Sequence, residues 1–143
     1  MEFQTVTGPV PVEQVRLADA HAHLWIDPPP GVADDYRLEL KDEVRIQAEL
    51  TDFHAAGGTT VVDCQPGGCG RDGTMLVKFS QATGLHVTAS TGFHLKRYYP
   101  PEYWLWSASV DIAAAYFIEE LTVGMRETGP GVRATVIKVG YDG

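Results

Sequence analysis

Leu17-Ala18-Asp19-Ala20-His21-Ala22-His23-Leu24 alternates small apolar with polar residues, the period-2 pattern of a β-strand. In a strand, residues two apart share a face. Asp19, His21 and His23 then lie on one side, and Ala18, Ala20, Ala22 and Leu24 line the other. Two imidazoles stacked this way can both reach one metal ion, since neutral histidine is among the commonest ligands of zinc and related metals. A His-x-His pair also recurs by chance, so the rest of the chain decides what it means.

Outward from this strand, placed at 17–24, the signals alternate helix with strand. A proline-rich loop through Asp27-Pro28-Pro29-Pro30-Gly31 leads to a helix predicted over 42–56, with Val44, Ala48, Leu50 and Phe53 supplying much of its apolar stripe and Gly57-Gly58 ending it. The β-branched run 59–64 predicts a second strand, 72–82 a second helix closed by Thr83-Gly84, and 85–90 a third strand. An aromatic loop spans 93–106, a third helix is expected over 110–128, and a fourth strand over 134–140. Upstream, 5–12 reads as a short β-hairpin with Gly8-Pro9 at its turn. The order β-α-β-α-β-α-β is that of a parallel α/β protein. No repeat, low-complexity segment or linker divides it, so 1–143 is expected to form one domain.

A chain of 143 residues can bury a real core, and its 44% hydrophobic and 21% charged fractions are those of a soluble globular protein. The net charge of −8, with no basic run, argues against nucleic acid or an anionic membrane as partner. No apolar stretch approaches a membrane span. The N-terminus shows no basic segment followed by an apolar one, so a cytoplasmic location is expected. In that compartment Cys64 and Cys69, flanking a Gly-Gly turn, are expected to be reduced thiols, with pairing or metal binding as the alternatives.

Gly68-Cys69-Gly70-Arg71-Asp72-Gly73 matches the dinucleotide pattern G-x-G-x-x-G between a strand and a helix. The next strand offers no acid for a ribose, however, and Asp72 stands where a helix N-cap is expected, which argues against a nucleotide site. Lys138 lies within Val136-Ile137-Lys138-Val139, a run expected to be buried. A buried ammonium must pair, lose its proton or be modified, or else snorkel to solvent from a strand end. The loop 93–106 is apolar enough to be packed against the helices or to cover a pocket. His94, directly after the third strand, could line such a pocket or cap local backbone. His54, at the end of the first helix, and His86, opening the third strand, read as structural.

Taken together, these pieces resemble the phosphotriesterase-related family of the amidohydrolase superfamily. The resemblance rests on Gln4-Thr5-Val6-Thr7-Gly8-Pro9-Val10, His21-Ala22-His23-Leu24, Gly57-Gly58-Thr59-Thr60-Val61-Val62-Asp63, Gly70-Arg71-Asp72, Thr83-Gly84, Thr91-Gly92-Phe93-His94 with Tyr98-Tyr99-Pro100, Glu120-Leu121-Thr122-Val123-Gly124-Met125 and Val136-Ile137-Lys138-Val139-Gly140. It implies a TIM-type (β/α)₈ barrel with two divalent metal ions at the C-terminal ends of the strands, zinc foremost and manganese, cobalt or iron as alternatives. It further implies that His21 and His23 are metal ligands, that a carboxylated Lys138 bridges the metals, and that His94 and Tyr98 contact a small-molecule substrate. The implied chemistry is hydrolysis of an ester, lactone or phosphoester by a metal-activated hydroxide.

Two departures from the family pattern stand out. Ala22 occupies a position where many relatives carry Glu, and the strand pattern turns it away from the metal. The larger one is length. A barrel of about 250 residues is usual, so the expectation is an N-terminal half of about four βα units, with two further histidines and an aspartate contributed from later strands. Such a half-barrel exposes sheet edges and apolar interior, so self-association or a separate C-terminal half is expected to cover them. The competing readings are a catalytically incomplete binding or relic domain and another amidohydrolase activity, amidase or deaminase.

Overall fold

The computed structural model describes residues 1–141. Two short strands, β1 (Glu2–Thr5) and β2 (Gly8–Pro11), form an antiparallel hairpin. After it come β3 (Ala18–Ala22), α1 (Glu43–Ala55), β4 (Thr60–Asp63), α2 (Gly73–Thr83), β5 (His86–Phe93), α3 (Val110–Thr122) and β6 (Val136–Val139). The strands β3, β4, β5 and β6 are all parallel and lie side by side in chain order. Each new strand is therefore added beside the last after a helical crossover, which brings all four C-terminal ends to one edge of the sheet. Among the described residues no helix is long and apolar enough to cross a membrane.

The core lies between the sheet and its first two helices. Ile46 and Leu50 of α1 and Leu76 and Phe79 of α2 join Val61, Val87 and Ala89 of the strands in one buried cluster. Burying side chains such as Leu76 and Phe79 completely contributes about 1.5–3 kcal/mol each. Helix α1 starts where Asp42 accepts the Arg45 N–H, and α2 where Asp72 accepts those of Thr74 and Met75. The buried stripe of α1 is Ile46, Leu50 and Phe53, at i, i+4 and i+7. Val44 and Ala48, expected on that stripe, are exposed, because they lie off the side that meets α2 and the sheet.

Other expected boundaries also move. The hairpin turns at Val6-Thr7 rather than at Gly8-Pro9: Val6 is buried and donates its N–H to the Val87 carbonyl, and the Thr5 hydroxyl donates to the Gly8 carbonyl. β5 continues three residues past Ser90, because Ser90 through Phe93 pair with Val136 through Val139. α3 stops at Thr122 instead of running to residue 128. There the chain turns back on itself, with the Met125 N–H bonded to the Val132 carbonyl, the Gly131 N–H to the Val123 carbonyl, and Met125 fully buried. The expected burial of the fourth strand is also corrected. Lys138 and Val136 are half-buried and Ile137 and Val139 are exposed, because among the described residues β6 has a neighbour on one side only.

Candidate active site at the C-terminal ends of the strands

His21 stands near the end of β3 and His23 just beyond it, after a slip in the pairing with β4 between Asp19 and Ala22. The Asp19 carboxylate accepts the His21 N–H and ties this irregular segment to itself. The two imidazoles lie side by side with ring centroids 5.6 Å apart. His21 is exposed and His23 half-buried. Burial lowers the His23 pKa below the ordinary imidazole value, a hydrogen bond to Gln65 opposes the shift, and the charges of Lys138 and His21 add to it. Its Nδ1 is 2.8 Å from Gln65 Oε1.

The end of β4 organises this corner. Asp63 is fully buried and its carboxylate accepts the N–H of Leu24, next to His23, at 2.8 Å and that of Gln65 at 3.4 Å. Burial pushes this carboxyl up to about 7, although both backbone N–H groups and the charges of Arg71 and Lys138 pull it down. On β6, Lys138 pairs with Gly92 and so shares the face of Ser90 and Thr88. Its positive charge acts on His23, Asp63, Cys64 and Cys69, so the structure brings the lysine to the histidine corner. Gly92, with φ +102°, lets the two strands approach, since a Cβ there would overlap the Lys138 carbonyl oxygen. Among the described residues no three His, Cys, Asp or Glu side chains gather into a metal-holding group.

A pocket of about 160 Å³ opens beside His23, lined among others by Ile26, Tyr36, Leu38, Gln65, His94 and Tyr98. His94 fills both roles foreseen for it. It lines the pocket, and its Nδ1 accepts the Leu95 N–H at 2.7 Å. Its ring meets Tyr98 edge-on at 4.6 Å. The aromatic loop likewise packs and covers. Tyr99 is buried against Tyr103 and Trp106, while Tyr98 faces the pocket and Arg97 lies over the rings of Tyr36 and Tyr98. Both cysteines are free and buried, and burial pushes the Cys69 thiol up to about 11.

One buried cluster went unread in the sequence. Arg71, with no exposed side-chain surface, uses all five N–H donors: two on Glu120, two on Glu127 and one on the Ser90 carbonyl. The Thr91 hydroxyl, the Tyr116 hydroxyl and the Arg126 N–H complete the shell around Glu120. Burial alone would raise the Glu120 pKa, but these donors, Arg71 foremost, hold it below the usual carboxylate value. The cluster joins the loop after β4 to α3 and to β5. Arg71 and Glu120 each stand in a segment that carries the family resemblance, but nothing in the sequence joins residues 49 positions apart. The neighbouring G-x-G-x-x-G run has its helix N-terminus already paired: Asp72 takes the N–H groups of Thr74 and Met75, and Glu127 that of Gly73.

Comparison with known proteins agrees with this architecture. The chain is 28% identical over 143 residues to a phospho-furanose lactonase of Mycoplasmopsis agalactiae, a match covering 96% of this chain and 40% of the relative. It is 33% identical over 106 residues to a phosphotriesterase-related protein of Nematostella vectensis, covering 73% of this chain and 29% of that one. The crystal structure of a lactonase from Listeria monocytogenes superposes with a TM-score of 0.82 at 22% identity, covering 96% of this chain and 46% of the other. The chain thus spans less than half the length of these relatives, and its parallel sheet is the N-terminal half of a TIM-type barrel. The Phosphotriesterase family profile matches residues 1–143 from end to end, and the chain belongs to that family.

Proposed function

We propose that the chain carries part of the active site of a metal-dependent hydrolase that cleaves an ester, lactone or phosphoester. The observation that supports this most directly is the side-by-side pair His21 and His23, with Lys138 acting on the same corner and a pocket opening beside it. The donor chemistry fits. Two imidazoles at 5.6 Å between ring centroids suit one divalent ion, and a carboxylated Lys138 would add an anionic oxygen donor where an ammonium would repel the metal. Two such ions, zinc or alternatively manganese, cobalt or iron, would supply Lewis acidity and a water of lowered pKa.

The remaining steps belong to the chain's own side chains. His94 and Tyr98 form the wall that a small-molecule substrate meets, and Ile26 and Leu38 keep that wall dry. Asp63 holds the backbone on both sides of the corner, at Leu24 and at Gln65, so that His23 does not drift. The lactonase among the relatives supports an ester or lactone substrate. Metal analysis of the purified chain tests the reading. Zinc retention that is lost in His23→Ala and Lys138→Ala supports it, and a wild-type chain that retains no divalent ion overturns it.

A second proposal concerns partners. Ile137 and Val139 are 58% and 57% exposed on a strand with an open edge. Such an edge pairs readily with another strand. We propose that β6 is completed by a C-terminal half or by a second copy of the chain. The chain's span, under half the length of the relatives it matches, supports this.

A further inference from the structure

We propose that Gln65 is a positioning residue for His23: its amide fixes the imidazole as the Nδ1–H tautomer and leaves Nε2 as the free donor atom. The inference rests on the proposed ligand role of His23 and adds a residue to that site. It follows from hydrogen-bond directions. Gln65 is 4% exposed, and its Nε2 stands 2.6 Å from the Cys69 carbonyl oxygen and 3.2 Å from the Cys69 sulfur. A carbonyl oxygen only accepts, so the amide nitrogen must face Cys69 and the amide oxygen must face His23. That oxygen also only accepts, and it lies 2.8 Å from His23 Nδ1, so Nδ1 carries the proton. A neutral ring protonated at Nδ1 has its lone pair at Nε2, the arrangement that a second-sphere partner gives a metal-binding histidine.

The platform under Gln65 is built to hold this direction. Its own N–H reaches Asp63, which also holds Leu24. The Cys69 thiol donates to the Pro66 carbonyl at 3.3 Å, which closes the turn. Gly68, with φ +80°, lies where a Cβ would overlap the Tyr103 hydroxyl. Gly70, with φ +112°, presents its carbonyl to the Asp27 N–H at 2.9 Å. Larger residues at either place would displace the Cys69 carbonyl. The glycine-rich run that imitates a dinucleotide motif therefore has a different use: its backbone aims one carbonyl at one amide, and that amide orients a histidine.

Long-range proton–nitrogen spectra of the histidine rings in the metal-free chain, at about pH 8 and so above the ordinary imidazole range, test the proposal. The wild type should show His23 protonated at Nδ1. Gln65→Met should lose that preference, and Gln65→Glu, whose carboxylate still accepts from Nδ1–H, should retain it. Zinc affinity should fall about ten- to a hundredfold in Gln65→Met. Protonation at Nε2 in the wild type overturns the proposal whether or not the variants fold, as does an unchanged tautomer in a folded Gln65→Met. An Nδ1–H tautomer whose signals ignore added zinc upholds the Gln65 inference and overturns the metal reading instead.

Discussion

Replacing Arg71 by Met removes a guanidinium all of whose donors are used and leaves its partner stranded. The side chains of Arg71 and Glu120 are 0% and 1% exposed, and their closest contact is 2.6 Å. In the variant Glu120 keeps the Thr91 and Tyr116 hydroxyls and the Arg126 N–H, but it has no charge to answer its own. Breaking one side of a buried pair costs about 3–5 kcal/mol. For a chain of this size that corresponds to roughly 10–15 °C in Tm. The pH dependence discriminates further. In the wild type the Glu120 pKa is depressed, so its contribution is present above the unfolded value near 4.5 and is lost as pH falls through the folded one. Without Arg71, burial raises that pKa, and the variant loses stability as pH climbs above about 4.5. The gap between the two proteins should therefore widen from about pH 4 to pH 7 in urea denaturation. A difference below about 1 kcal/mol at neutral pH, or one that does not change with pH, would refute the reasoning.

Asp63 titrates in the opposite sense. Its carboxyl is raised from 3.8 to about 7, so wild-type stability should decline as pH rises between those values and level off above. Asp63→Asn, which keeps an oxygen for the Leu24 N–H, should match the wild type below about pH 4 and exceed it near pH 8 by a few kcal/mol; parallel pH profiles would sink this. Gly92→Ala should destabilise by more than about 2 kcal/mol, from positive φ and from overlap with the Lys138 carbonyl, and thermal melting measures it. Ile137→Lys with Val139→Lys should weaken concentration-dependent assembly in sedimentation if the β6 edge is an interface. A wild-type chain that sediments as a monomer at all concentrations, without binding apolar dye, would refute that.

The order of strands and helices was legible because each element carries a local signal: β-branched runs for β4 and β6, Asp42 and Asp72 as caps, glycines as stops. The misreadings concern what other parts of the molecule do to a segment. Helix α3 ends early because Glu120 and its neighbours turn to meet Arg71 and residue 134, partners far away in the chain. Val44 and Val139 look like core in a linear pattern, and only the positions of α2 and the sheet edge show that they are exposed. Within the site, His21 and His23 could be seen because they are two residues apart. Gln65 could not: its contact with His23 spans 42 residues and depends on how the ends of β3 and β4 meet.

The hairpin at the opposite end of the sheet bears on the order of folding. The Thr135 hydroxyl donates to the Gln4 carbonyl across 131 positions, Arg133 bonds the Gln4 side chain, and the Val6 N–H bonds Val87. The hairpin thus docks on residues as many as 131 positions further along the chain. Closing so long a loop is slow, so the N-terminal segment should settle late, after β4, α2 and β5 have formed a nucleus. An extension fused ahead of Met1 would then burden this late docking and leave the earlier steps untouched, and the Val6 amide would be a natural reporter for hydrogen exchange on whether the hairpin has docked on β5.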